Sequence, residues 1–530
     1  MLAGVREVNL RTGTFKARLA ILVGSVFALA CAPAAAQRYT VVDLGELGAG
    51  GSFPRAINIS GQVVGNSDGH AFLYKDGSMR NLDPRLVDNA AAFAINDAGD
   101  VAGWSQDASL DVHAFLYSKG TITWLTSPEL DSAPTGINAS RQIVGWSGVP
   151  NANGGDGPHA FLWSAGTLTV LTPDVNGVAN AINASGQVVG KFHVPNAQHA
   201  FLYSNGSLRD LGTLHDGNGQ SEATAINDNG DVVGWSGSQA FIYTNGEMTD
   251  LGSVANYADI PVIDPSSANY AAVGINARGA VVGNFGYCIP TNFFPYCTPG
   301  VRTWVYSDGV MRDLGELIEP NSGWEIAQVT GINAAGEIIA FGCGDLGCHA
   351  LMLAPVTSVV EYGNTEDFPG SPGGHFFYTD DPAEQALVDS GVFGRFVRTG
   401  KSFSAGGAKR LCRFYGSVTP GPNSHFYTIA DSECNYLKSQ QKVPPPTDTP
   451  QWNYEGLVFA EAPAHLTSAG PECLSPTVPV YRAYNNAFPL AGARKPWDSG
   501  HRYSVDHRDI SRLVDQYGWR DEGIVFCAPK

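Results

Sequence analysis

Charge is scarce in this 530-residue sequence. Only 15% of its residues are Asp, Glu, Lys or Arg, and the balance is acidic, with a formal net charge of −18. An acidic surface argues against nucleic acid and anionic membranes as partners. Long apolar runs are also lacking. One occurs at residues 19–30, after Lys16 and Arg18 and before Ala34-Ala35-Ala36. It is too short to span a bilayer and reads as the apolar centre of a secretory signal over residues 1–36. Its removal takes away Arg6, Arg11, Lys16, Arg18 and Glu7, which makes the chain more acidic and leaves no membrane span. Several chemical signatures are missing as well. There is no Cys-x-x-Cys and no His-Glu-x-x-His. These absences remove the usual zinc sites, and no metal or cofactor is expected.

Nine cysteines become eight once residues 1–36 are gone, and they fall in neighbours. An even count in an exported chain points to four disulfides: Cys288–Cys297, Cys343–Cys348, Cys412–Cys434 and Cys473–Cys527. The implied location is extracellular or periplasmic.

What the sequence has in quantity is glycine, 63 residues, and repetition. The stretch Ile-Asn-Ala-Ser-Gly-Gln-Val-Val-Gly that begins at Ile182 returns in variant form at Ile57, Ile95, Ile137, Ile226, Ile275 and Ile332. The asparagines are Asn58, Asn96, Asn138, Asn183, Asn227, Asn276 and Asn333, spaced 38, 42, 45, 44, 49 and 57 residues apart. Such a period suits propeller blades. Each period has a second half, His-Ala-Phe at His70, His113, His159 and His199, with variants at Gln239, Arg302 and His349.

The unit at 223–252 shows four alternating apolar segments separated by Asn-Gly turns, the pattern of an antiparallel meander. The seventh unit lacks its fourth strand. Thr40-Val41-Val42-Asp43-Leu44-Gly45 supplies the same Asp-Leu-Gly that ends the fourth strands at Asp210, Asp250 and Asp313. The expected fold is all-β, a seven-bladed β-propeller closed by the N-terminal strand over residues 37–355. The repeated Asn is read as a turn residue that bonds backbone two positions on, and the repeated His as a packing residue. The paired motifs over residues 37–355 resemble the bacterial extracellular family named for its His-Ala-Phe repeats. That resemblance implies export and a repeat fold and no particular reaction.

Links between second and third strands, and between units, are the long variable ones. Binding sits most often on such loops. Asp156, Asp216, Glu222, Asp259 and Asp264 are the candidate binding residues on this acidic loop face.

Beyond residue 355 the repeat stops and three new echoes appear: His375-Phe376-Phe377-Tyr378-Thr379, His425-Phe426-Tyr427-Thr428 and His501-Arg502-Tyr503-Ser504. Each is followed by a helix-like stretch, at 382–389, 431–439 and 508–517, and then by a second strand near Gly400, Gly456 or Gly523. Trp452-Asn-Tyr-Glu-Gly456 and Trp519-Arg-Asp-Glu-Gly523 are related motifs. Residues 359–527 resemble an uncharacterised repeat domain of secreted bacterial proteins with these His-Phe-Tyr-Thr and Trp-x-Tyr-Glu-Gly motifs. The resemblance implies an add-on module. The expectation for 356–530 is a small β-rich module with pseudo-threefold repeats and short helices.

Its candidate binding residues are His375, Tyr378, His425, Tyr427, Trp452, Glu455, His501, Tyr503, Trp519 and Glu522. Aromatic faces beside carboxylates suit sugars, although the tyrosines serve equally as core. A convergence of His375, His425 and His501 on the threefold axis as a three-histidine metal site is a rival that duplication alone also explains. The favoured function is a secreted, non-catalytic binding or scaffold protein for polysaccharide, cell wall or an extracellular protein. The alternative is a propeller-type extracellular glycoside hydrolase or lyase, and a third reading is a structural matrix component.

Overall fold

The computed structural model describes residues 37–530 apart from 87–88, 107–110, 126–130, 149–156, 215–218, 256, 258–268, 291–296, 320–321, 346, 369, 417–422, 444–450, 489–494 and 496–497. The secretory signal expected at residues 1–36 lies outside the described residues, as do the side chains of Cys288 and Cys297. Among the described residues no helix is long and apolar enough to cross a membrane.

Strands dominate. Up to residue 355 the described chain forms seven four-stranded antiparallel sheets. The first is Ser52–Ile57, Val63–Ser67, His70–Lys75 and Ser78–Asn81, in sequence order across the sheet. Five more repeat this meander. The last takes Trp324–Ile332, Ile338–Gly344 and Gly347–Pro355 from the end of the repeat region and its outer strand, Tyr39–Asp43, from the beginning. Asp43 there does what Asp210 does in its own sheet. Each accepts from the glycine amide two residues on, at 2.8 Å, and each faces the histidine of a His-Ala segment, His349 at 3.0 Å and His199 at 2.9 Å.

Turn chemistry explains the meander. Third and fourth strands join through two-residue loops such as Asn205-Gly206 and Asn245-Gly246, where both residues have positive φ, the twist that a tight hairpin requires. The first hairpin uses the repeated asparagine. In Asn183, Oδ1 accepts from Gln187 N at 2.9 Å, while Nδ2 donates to Gln187 Oε1 at 2.7 Å and to the Asn227 carbonyl of the next sheet at 3.1 Å. The same donation to the next unit's asparagine runs from Asn58 through Asn96, Asn138, Asn183, Asn227 and Asn276 to Asn333, and Asn333 donates back to the Asn58 carbonyl at 2.9 Å. All seven asparagines are buried. One turn departs from the pattern. Arg141 holds φ 60° where Gly186 and Gly230 stand in their repeats, and it pairs with Asp100 of the preceding sheet at 2.8 Å. The ion pair accompanies a backbone conformation that non-glycine residues disfavour.

Packing follows from the same repeat. Val188-Val189 and their counterparts Val63-Val64 and Val232-Val233 are fully buried, one side chain on each face of its sheet. The glycine that follows is a close-approach position: a Cβ on Gly234 would run into the carbonyl of Glu222 on the neighbouring strand.

Residues 357–529 form three three-stranded sheets with one helix each. The central strands are Thr357–Asn364, Lys409–Gly416 and Thr477–Tyr484, and the helices are α1 (Pro382–Asp389), α2 (Asp431–Gln440) and α3 (His507–Tyr517). Asp381 and Asp506 cap α1 and α3 through their side chains, and Gly518 ends α3 in the left-handed region. Cys412–Cys434 ties a central strand to α2, Cys473–Cys527 ties the start of the third unit to the last strand, and Cys343–Cys348 closes a hairpin in the last four-stranded sheet. These three pairings match those expected, and disulfides suit an oxidising, extracellular compartment.

The repeat region and the module meet directly. Arg410 pairs with Glu337 at 3.2 Å, and the Thr40 hydroxyl donates to the Gly406 carbonyl. Beside this contact the Glu461 carboxyl is wholly buried without a hydrogen-bond partner. Burial, and secondarily Asp380, raise its pKa well above the ordinary 4.5.

Two outcomes are expected. Asn183→Ala should destabilise the fold by about 1–3 kcal/mol in urea denaturation, because it leaves the Gln187 amide unpartnered and removes the bonds to the Gln187 side chain and the Asn227 carbonyl. An acid whose folded pKa is raised contributes stability below its unfolded pKa and loses it as pH rises. Glu461→Gln should therefore match the wild type near pH 4 and exceed it by about 1–3 kcal/mol at pH 8 in the same assay.

Candidate functional site: paired clefts of the C-terminal module

Three tyrosines set the geometry of the module. The hydroxyls of Tyr378, Tyr427 and Tyr503 each accept from the backbone amide of another of the three, at 2.9–3.0 Å, and contact its carbonyl at 2.7–3.0 Å. Their rings meet edge to face at 5.4–5.7 Å. All three are buried, so these candidate binding residues are core instead. The tyrosines, and not the histidines, occupy the threefold axis. Among the described residues no cluster of three His, Cys, Asp or Glu could hold a metal ion.

Register corrects a second expectation. His425 lies opposite Tyr415, and His501 opposite Tyr484, but the residue at that place in the first unit is Phe376, opposite Gly363. His375 stands one position earlier, because the first unit carries an extra phenylalanine before its axial tyrosine. Its ring is buried and stacks on Phe368 at 4.0 Å.

Between the first and second units lies a cleft of about 350 Å³. Its polar wall is Arg413, which forms two 2.9 Å bonds with Glu384 of α1 and an ion pair of 2.8 Å with Glu455. The Arg413 guanidinium lies 5.5 Å from the Phe377 ring. His425, Tyr415 and exposed Phe393 complete the lining. Between the second and third units is a cleft of about 330 Å³ with the same parts. Arg482 pairs with Glu522 at 2.6 Å and with Glu433 of α2 at 3.4 Å, and lies 5.1 Å from Phe426. His501, Tyr484 and Trp452 line it, and exposed Tyr436 and Phe488 form its rim.

The third interface reverses the charges and is shut. Arg502 replaces the phenylalanine, Glu361 replaces the arginine, and the two form a pair of 2.9 Å bonds. Arg502 lies 4.8 Å from Phe376, which replaces the histidine. Side-chain exposure separates the cases: 2% for Glu361 against 31% for Glu455 and 42% for Glu433. Trp519, another candidate, is buried here and donates to the Pro372 carbonyl at 2.8 Å.

Electrostatics follow from burial. Burial lowers and the neighbouring acids raise the pKa of Arg413, and raising wins, so its charge is permanent. Burial raises the Glu455 carboxyl, and Arg413 pulls it back. Burial, then the charge of Arg413, push His425 down to about 3, and burial with Arg482 and Arg520 pushes His501 well below its usual value. Both histidines are neutral walls.

Of the ten module candidates, His375, His425 and Glu455 line the first cleft, and Trp452, His501 and Glu522 the second. Sequence reading missed Arg413, Arg482, Glu384 and Glu433. Their signal was a recurring acid at the third position of each helix and a recurring charge two residues after Leu411 and Val480. On the repeat region, Asp156, Asp216, Asp259 and Asp264 lie outside the described residues. Glu222 belongs to the strand Ser221–Ile226 and not to a loop, and is held by Asn180 at 2.9 Å and Lys191 at 3.0 Å.

Residues 371–529 match a family described as a domain of unknown function, DUF5648. No curated protein matches the chain. Among solved structures the chain is similar to the extracellular domain of a hybrid two-component system from B. thetaiotaomicron, with 14% identity, a TM-score of 0.36 and coverage of 72% of this chain and 46% of that one. It is also similar to a prolyl endopeptidase, with 10% identity, a TM-score of 0.37 and coverage of 65% and 55%. A third similarity is to YCF48 bound to D1 peptide, with 11% identity, a TM-score of 0.36 and coverage of 60% and 94%. The chain thus spans about half the length of the sensor and peptidase chains.

A histidine whose folded pKa is depressed contributes stability above its unfolded pKa and loses it as pH falls. Stability should therefore decline from pH 6.5 toward about 3, the folded value for His425. His425→Gln should flatten that decline in denaturation curves taken across the pH series.

Proposed function

We propose that the chain is a secreted, non-catalytic binding protein whose two C-terminal clefts hold a polyhydroxylated ligand, the chemistry of a polysaccharide. The duplication of one cleft chemistry at two of three interfaces carries this reading. Each cleft sets two carboxylates around a fixed guanidinium, so that acceptors for hydroxyl groups are held in place. Exposed aromatic rings, Phe393 at the first cleft and Tyr436 and Phe488 at the second, can lie against the apolar faces of sugars.

In this reading residues 37–355 are a closed, seven-bladed propeller of His-Ala-Phe repeats, and 356–530 a separate appended module. The seven four-stranded sheets, the asparagine series that returns to its start, and a cavity lined by the first strand of every sheet support it. A ring leaves only short, protected sheet edges and gives the module a rigid carrier.

The test is retention of the mature chain on immobilised cell-wall and extracellular polysaccharides, alongside a glycan array. The wild type should be retained on at least one polysaccharide. Arg413→Ala and Arg482→Ala should each weaken that binding about tenfold, the scale of a lost charged hydrogen-bond set, and the double variant should abolish it. Failure of the wild type to bind any polysaccharide would refute the reading.

A further inference from the structure

The innermost strands of all seven four-stranded sheets surround a cavity of about 490 Å³. At one repeat position its lining is Arg55, Phe93, Thr135, Asn180, Thr224, Val273 and Thr330. Three of these tie sheet to sheet. Thr135 donates to the Ala179 carbonyl at 2.7 Å, Thr224 to the Ala272 carbonyl at 2.8 Å, and Asn180 to the Ala223 carbonyl at 2.8 Å. Arg55 makes no such bond. Among the described residues it has no hydrogen-bond or ion-pair partner, whereas Arg413, Arg482 and Arg502 of the module are each held by carboxylates.

What Arg55 does touch is aromatic. Its guanidinium carbon lies 4.5 Å from the Phe53 ring and 4.8 Å from the Phe93 ring. Cation–π contact covers the face of a guanidinium and leaves its in-plane N–H donors for an oxyanion. Arg55 is exposed to the cavity, and the protein around it lowers its pKa by partial burial. On the neighbouring inner strand Gln328 also lines the cavity and is exposed, with its amide unbound by protein. Apart from Arg55 the described inner strands carry Glu222, which Lys191 of the adjoining sheet neutralises at 3.0 Å, and Glu325, which does not line the cavity.

We infer that the central cavity is a second binding site, in which Arg55 receives the carboxylate of a singly charged, hydroxylated acid such as a uronic acid. One unpaired cation matches one negative charge. A planar carboxylate accepts two parallel N–H bonds from a guanidinium. Gln328 supplies a neutral donor and acceptor for a hydroxyl, and the two phenyl rings supply an apolar wall. This site differs in place and in charge from the two clefts of the module, where every arginine is already neutralised.

The test uses the mature full-length chain with glucuronate, acetate, glucose and inorganic phosphate as probes, followed by saturation-transfer NMR and calorimetric titration. Glucuronate should bind and acetate should compete with it, while glucose should not. Arg55→Gln should weaken glucuronate binding at least tenfold, Arg55→Lys by less, and the Arg413→Ala/Arg482→Ala double variant should leave it unchanged. Thermal melting of each variant separates loss of the site from loss of the fold, and Gln328→Ala adds a second variant remote from the Arg55 backbone. No glucuronate binding by the wild type, or equal binding by a folded Arg55→Gln, would overturn the inference. Phosphate competing more strongly than acetate would overturn the carboxylate assignment.

Discussion

One asparagine amide per repeat bears most of the architecture. Its oxygen holds the first hairpin of its own sheet, and its nitrogen reaches the asparagine carbonyl of the next sheet. A side chain that satisfies a turn is local, and one that also crosses to the next unit couples neighbours. Buried amides left unpaired are costly, so each asparagine depends on the unit beside it. The link from Asn333 to Asn58 makes that dependence return to its start across 275 residues of chain. The paired valines and the close-approach glycine then fill the space that this hairpin defines.

The module reuses the principle of repetition with a different outcome. A tyrosine triad fixes three copies around an axis, so the interfaces between copies are forced to be alike in shape. Chemistry then diverges. Two interfaces keep an arginine between two carboxylates with room beside them. The third swaps the charges and buries them, with Trp519 as cover. Symmetry of backbone with asymmetry of side chains is how a duplicated domain can hold itself together at one seam and stay open at the others.

Much of the fold was legible in the sequence because the relevant physics is local. Asn-Gly dipeptides mark hairpins and a two-residue alternation marks strands, and the helix-like stretch expected at 382–389 coincides with α1. The displaced fourth strand was legible because Asp-Leu-Gly recurs at Asp43. What escaped were relations across space. No spacing rule says that Asn183 reaches Asn227. The doublet Phe376-Phe377 shifted the apparent alignment of the histidines by one, and only the opposing strand reveals the true register. The clefts escaped because Arg413 and Glu384 belong to different units, and their pairing depends on how units pack. Glu222 was read as a loop acid because the strand that contains it begins only one residue earlier.

Whether the sheets form one closed ring is decided most directly by native-state hydrogen exchange at the seven turns that begin at the repeated asparagines. In a closed ring every turn has a neighbour on both sides, so the amides bonded to the seven asparagines should open together, with the same free energy. An open array frays from its ends. Markedly faster exchange at the turns of Asn58 and Asn333 than at that of Asn183 would contradict closure.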